Sequence, residues 1–111
     1  MLTVYGIKTC DSCRKALKWL KEQDREHTFV DLRKTPPAAD KVASWVDTLG
    51  SKKLRNTSGG SYRALPADKK SWSEDRWKQE FSNDPMLLKR PVLEQDGRAI
   101  TTGFRGWDAL I

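Results

Sequence analysis

The 111-residue sequence has no apolar run near the roughly 20 residues that a helix needs to cross a bilayer. Its first residues, MLTVYGIKTC, lack a basic segment followed by an apolar stretch and a small-residue cleavage site, so they do not read as an export signal. A reducing cytoplasm is the expected location. Cysteine and histidine are scarce, at two and one. Two cysteines cannot build a scaffold of several disulfides, and a chain of this length buries a core without one. No internal repeat, low-complexity tract or interdomain linker divides the sequence, which predicts a single domain over residues 1–111.

What is present is a globular mixture: 37% apolar residues, 32% charged residues and five tryptophans, too rich in large anchors for a disordered chain. The formal charge of +6 suits an anionic partner. Asp24, Glu26, Asp40, Asp47 and Glu74 are interspersed, so a solvated basic surface explains the charge equally well.

Leu2 to Tyr5 alternate apolar and polar and then meet Gly6, predicting a short strand. From Asp11 to Gln23, Cys13, Ala16, Leu17 and Leu20 recur at helical spacing, with Arg14, Lys15, Lys18, Lys21 and Glu22 turned to water. HTFVDL, His27 to Leu32, is rich in strand formers, which makes the opening a β-α-β unit with parallel strands. Beyond Pro36 and Pro37, Val42, Trp45, Val46 and Leu49 mark a second helix that Gly50 stops. SKKLRNTSGGSYRAL reads as an exposed basic loop, and Ser71 with Glu74 as a capping box for a helix through Trp77, Glu80 and Phe81. Pro91 to Glu94 and Ala99 to Thr102 read as strands joined by an Asp96-Gly97 hairpin turn, followed by a closing helix from Arg105 or Gly106 to Leu110.

Cys10-Asp11-Ser12-Cys13 carries the chemistry. A cysteine at the mouth of a helix meets unpaired N–H groups and the positive end of the helix dipole, both of which favour thiolate. Arg14 and Lys15 oppose the dipole but add positive potential there, while Asp11 works against the thiolate. Cys13, one turn on, lies close enough to resolve a mixed disulfide at Cys10. Zinc is the alternative, since Cys10, Cys13, His27 and Asp31 form a C-x2-C-x13-H-x3-D series; Asp is an uncommon fourth ligand, and His27 opens a strand. Two ordinary half-buried thiols are the third reading.

With YGIKTCDSCRKALKWL, LRNTSGGSYRAL, LLKRPVL and GFRGWDALI in this order, the chain resembles the thioredoxin-fold arsenate reductase family over nearly its whole length. It is most similar to the small arsenate-reductase-related proteins described as glutathione-dependent thiol reductases. The Spx-type transcriptional regulators are more distant relatives. The resemblance implies an α/β, thioredoxin-like fold: β-α-β, then β-β-α, with a mixed central sheet. The thioredoxin-like parts would be about 1–34 and 87–111, with a helical insert at about 36–86.

The resemblance also implies that Cys10 is the nucleophile, that Arg90 precedes the family's proline, and that this proline, Pro91, is cis. Cys13 joins Cys10 and Arg90 as a candidate catalytic residue. Arg90 has a physical case of its own, because a guanidinium offers paired hydrogen bonds to a carboxylate or oxyanion. Lys8, Thr9, Arg14, Arg55, Arg63 and Pro91 are candidates for binding substrate or glutathione. An ungapped match sets Ser58 where relatives carry an arginine, with Arg55 and Arg63 as substitutes. Gly103, flanked by Arg98 and Arg105, stands near the third anion-binding arginine of arsenate reductases. These departures count against arsenate as the natural substrate.

The expected activity is thiol-disulfide oxidoreduction, with glutathione as reductant or co-substrate, no tightly bound cofactor or metal, and no membrane. Glutathione, a small thiol or disulfide, and a glutaredoxin are the candidate partners. A redox-sensing, Spx-like interaction protein is the second class. Direct nucleic-acid binding, the third, needs exposed aromatic side chains beside basic ones. Trp45, Trp19 and Trp77 sit where packing explains them, while Trp72 and Trp107 have no assigned place.

Overall fold

The computed structural model describes residues 1–111. Strand β1 (Leu2–Gly6) leads into helix α1 (Asp11–Glu22) and strand β2 (His27–Asp31). Helices α2 (Ala39–Leu49), α3 (Ser51–Leu54), α4 (Gly60–Arg63) and α5 (Glu74–Asn83) follow, with 3-10 turns at Ala67–Ser71 and Pro85–Leu87. Strands β3 (Val92–Gln95) and β4 (Arg98–Thr102) complete a four-stranded sheet of order β2-β1-β3-β4. β1 and β2 are parallel, as a helical crossover requires, whereas β3 runs antiparallel to both β1 and β4. This mixed sheet with helices on both faces is the thioredoxin-like fold.

Side-chain alternation divides the core. Leu2, Val4 and Leu93 point to the face covered by α1, where they bury Ala16, Leu20 and Trp107. Val92 points to the opposite face, which α2 to α5 cover with Val42, Trp45, Leu54, Trp77 and Phe81. Because β3 is buried on both faces, Val92, Leu93 and Glu94 are buried in succession. No helix is long and apolar enough to cross a membrane. Asp96 and Gly97 join β3 to β4 with φ of 53° and 81°, the paired positive values of a tight hairpin turn.

Three local expectations are corrected. The basic stretch after Gly50 is not an open loop: it forms α3 and α4, and buries Leu54 and Tyr62 in the core. The cap of α5 is Ser73, whose hydroxyl accepts from the Arg76 N–H at 3.1 Å, and not Ser71. Glu74 faces away from that cap and instead accepts from the N–H and hydroxyl of Ser51. The C-terminus forms no closing helix. Gly103 and Gly106, with φ of 80° and 81°, turn the chain so that Phe104 and Trp107 pack edge to face at 4.9 Å, and only a single turn follows.

Candidate active site

Cys10 is the N-cap of α1, with φ −87° and ψ 124°, and its carbonyl accepts from the Arg14 N–H at 3.0 Å. No side chain caps this helix end, so the first-turn N–H groups are left to the Cys10 sulfur. Cys10 is half-buried. Burial opposes charge on its sulfur, but the backbone N–H and thiol of Cys13, the N–H of Ser12 and the charge of Arg90 outweigh it. The Cys10 thiol is therefore held below its ordinary value.

Cys13 sits one turn along, fully buried, and both thiols are free. Burial foremost, with a further push from Cys10, raises the Cys13 thiol to about 12. It is a protonated donor toward Cys10 at neutral pH. Gly6 makes room for it: a Cβ there would collide with the Cys13 sulfur.

The Arg90-Pro91 peptide bond is cis, and Pro91 is buried at the entry to β3. Arg90 donates through Nη1 to the carbonyls of Met86, at 3.0 Å, and Leu88, at 3.1 Å, while its buried Nε has no partner. Ser12 and Arg90 border a cleft of about 530 Å³ that extends along Lys53, Lys89, Thr102 and Arg105. Four cations and no carboxylate line it. Lys89 is seated there by its neighbours: Thr102 Oγ1 donates to its carbonyl, and a Cβ on Gly103 would stand 2.9 Å from its Cε. The space beside residue 103 is thus filled by a lysine stem.

The sequence candidates do not all converge on this cleft. Cys10, Cys13 and Arg90 come together electrostatically, and Pro91 adjoins Arg90. Lys8 and Thr9 lie exposed in the β1–α1 turn, where Lys8 borders a different groove with Leu17 and Lys18. Arg14 is paired with Asp11 at 2.7 Å in solvent. Arg63 donates to the Ser58 carbonyl at 2.8 Å, and Arg55 lies over the Trp77 ring at 4.3 Å; neither borders the cleft. Lys53 and Lys89 were not sequence candidates. Lys89 had a signal in its place next to Arg90-Pro91, while Lys53 had none.

The zinc series does not assemble. His27 Nδ1 is engaged with the Arg25 carbonyl and Asp31 with the Arg33 N–H, and no group of three or more His, Cys, Asp or Glu side chains is arranged to hold a metal ion.

This geometry has relatives. Uncharacterized protein YusI of Bacillus subtilis is 38% identical over 108 residues, covering 94% of this chain and 91% of its own. The crystal structure of a possible arsenate reductase from Streptococcus mutans UA159 superposes with a TM-score of 0.85 at 36% identity, covering 96% of this chain and 92% of that one. The global transcriptional regulator Spx of Lactiplantibacillus plantarum is 26% identical over 100 residues, covering 88% of this chain and 76% of its own. The ArsC family matches residues 5–107, nearly the whole fold and every residue of the Cys10, Cys13 and Arg90 constellation, so this chain belongs to the ArsC family.

Proposed function

We propose that this chain is a thiol-disulfide oxidoreductase that uses Cys10 as nucleophile and glutathione as reductant. The observation that carries the reading is the half-buried Cys10 at the open end of α1, its thiol below the ordinary range through Ser12 and Arg90 among others, two residues that also border the cleft lined by Lys53, Lys89 and Arg105. Such a cleft favours a disulfide that carries carboxylates, as a glutathione adduct does.

The Cys10 thiolate attacks the glutathione sulfur of a mixed disulfide. A new Cys10–glutathione disulfide forms, and the other half leaves as a thiolate that takes up a proton. A second glutathione, as thiolate, attacks the adduct, releasing the Cys10 thiolate and glutathione disulfide. One disulfide bond breaks and one forms: the substrate sulfur leaves with its bonding pair, and the incoming second glutathione thiolate supplies the pair of the new disulfide. This cycle needs no covalent part for Cys13, whose thiol is buried and held well above its ordinary value beside the free Cys10. Arg90 stabilises thiolate at Cys10 in both steps.

Reduction of a glutathione mixed disulfide by the wild type and by Cys10→Ser tests the nucleophile, with equal rates rejecting it. Mass analysis after incubation with glutathione disulfide tests the resolving step. An adduct at Cys10 supports the monothiol cycle, whereas an internal Cys10–Cys13 bond transfers the resolving role to Cys13.

The likeness to Spx favours a second reading, a redox-dependent protein binder. Capture of a partner from extract in only one redox state would support it, and identical recovery in both would reject it.

A further inference from the structure

The geometry points to a second anion-binding site, for the phosphoryl group of a small molecule, in a pocket of about 490 Å³ between α3, α4 and the 3-10 turn that follows. Lys52, Arg55, Thr57, Tyr62 and Lys70 line it. It shares no residue with the cleft beside Cys10, so it goes beyond the redox reading.

Arg55 is the centre of this pocket. Its guanidinium lies 4.3 Å over the ring of Trp77, a side chain wholly removed from water, and Nη2 donates to Ser51 Oγ at 2.8 Å. The Ser51 hydroxyl in turn donates to Glu74, so the guanidinium is oriented through a neutral hydroxyl and makes no direct ion pair, although its charge helps to hold the Glu74 carboxyl below its usual range. Its Nε is buried with no partner. Lys41 pairs with Glu94, Arg76 with Glu80 and Lys78 with Asp47, whereas Arg55 shares with Arg90 of the other cleft a buried, unpartnered Nε and no ion pair. Arg55 is held in position and remains short of acceptors.

The rest of the lining repeats that chemistry. Lys52, Lys70, Thr57 and Tyr62 all offer hydrogen-bond donors, and no carboxylate is among them. Lys69, just outside the lining, adds positive charge nearby, with Nζ 4.8 Å over the Tyr62 ring. A planar guanidinium fixed on an aromatic face and flanked by two flexible ammonium groups suits a tetrahedral dianion, the guanidinium giving directed hydrogen bonds and the lysines point charge. The volume admits a phosphate ester as well as the free ion. Lys69 lies over the Tyr62 ring and Trp77 stacks parallel to it at 6.3 Å, so the ring is already engaged and recognition is concentrated on the phosphoryl end.

An NMR titration tests the site at constant ionic strength, following the Arg55 Nε–H and Trp77 Nε1–H signals. Inorganic phosphate and adenosine 5′-monophosphate are the probes, which distinguishes a free anion from an ester. Saturable shifts from either probe, confined to residues around 52–57, 62 and 70, are expected. Affinity should fall about tenfold or more in Arg55→Gln, as loss of a charge-assisted pair implies. Because Arg55→Gln also removes the stacking on Trp77, Lys52→Gln/Lys70→Gln provides a second variant with the stack intact, and it too should bind severalfold more weakly. Cys10→Ser should bind as the wild type does. Shifts that fail to saturate, that spread evenly over basic residues, that centre on the Cys10 cleft, or that persist with unchanged affinity in both lining variants would each overturn the site.

Discussion

Cys10 and Cys13 share one helix turn, but the fold gives them opposite circumstances. The first caps the helix with its sulfur near free N–H groups, while the second is buried against Gly6 and has its thiol raised to about 12. Iodoacetamide should therefore alkylate Cys10 half-maximally at a lower pH in the folded protein than in the denatured chain, and leave Cys13 untouched while the fold is intact. In Cys13→Ala the S–H donor is lost, so the Cys10 profile should move toward higher pH; an unmoved profile would deny Cys13 that role. Lys89 acts on a different quantity. Lys89→Gln should raise KM for a glutathione mixed disulfide severalfold while leaving the alkylation profile in place, because Arg90 is the cation that acts on Cys10. The cysteine pair was legible in the sequence because its chemistry is set within one turn of helix. The cleft was not, because Lys53, Lys89 and Arg105 meet only after the insert folds back against the β3–β4 end of the sheet.

At the scale of elements, the strands were legible within a residue or so of their ends, since alternation and the Asp96-Gly97 turn are local signals. The start of α5 was harder. Ser71 and Glu74 have capping-box spacing, yet tertiary contact redirects Glu74 to Ser51 and leaves the cap to Ser73. Ser73→Ala should accordingly cost about 1 kcal/mol in chemical denaturation, the usual worth of a serine cap. Ser71, exposed and bonded only to the Asp68 carbonyl, should tolerate alanine within about 0.5 kcal/mol. The reverse ranking would restore the capping box. The basic stretch after Gly50 misled for a similar reason: its polar and glycine-rich composition hides Leu54 and Tyr62, whose burial depends on Trp77 and Leu87 from beyond the loop.

Across the whole molecule, the main polar junction is Glu94, only 2% exposed on the central strand β3. Its oxygens accept from Tyr5 Oη on β1 at 3.0 Å, from Trp45 Nε1 on α2 at 2.7 Å and from Lys41 on α2, which ties the sheet to the insert. An acid in an apolar strand gives no sequence signal of burial, because its three partners lie 53, 89 and 49 positions away in the chain. Hydrogen bonding to Glu94, foremost, raises the Lys41 pKa against the pull of burial, while burial and then the Glu94 charge raise that of Tyr5. Both groups hold their protons more tightly in the folded state than in the unfolded one. Their contribution is complete below the unfolded values of about 10 to 10.4 and is lost as pH rises through the higher folded values. The wild type should lose stability above about pH 10. Glu94→Ala removes the shared acceptor and strands the Trp45 N–H in the core, which should cost about 3 kcal/mol at pH 7 by urea denaturation. Between pH 9 and 11 its stability should also fall less steeply than that of the wild type, for with no carboxylate to face, Lys41 loses the main reason to titrate differently in the two states and Tyr5 keeps only the part that burial supplies. Parallel curves would mean that the alkaline loss arises elsewhere in the fold, with Glu94 reduced to a packing group.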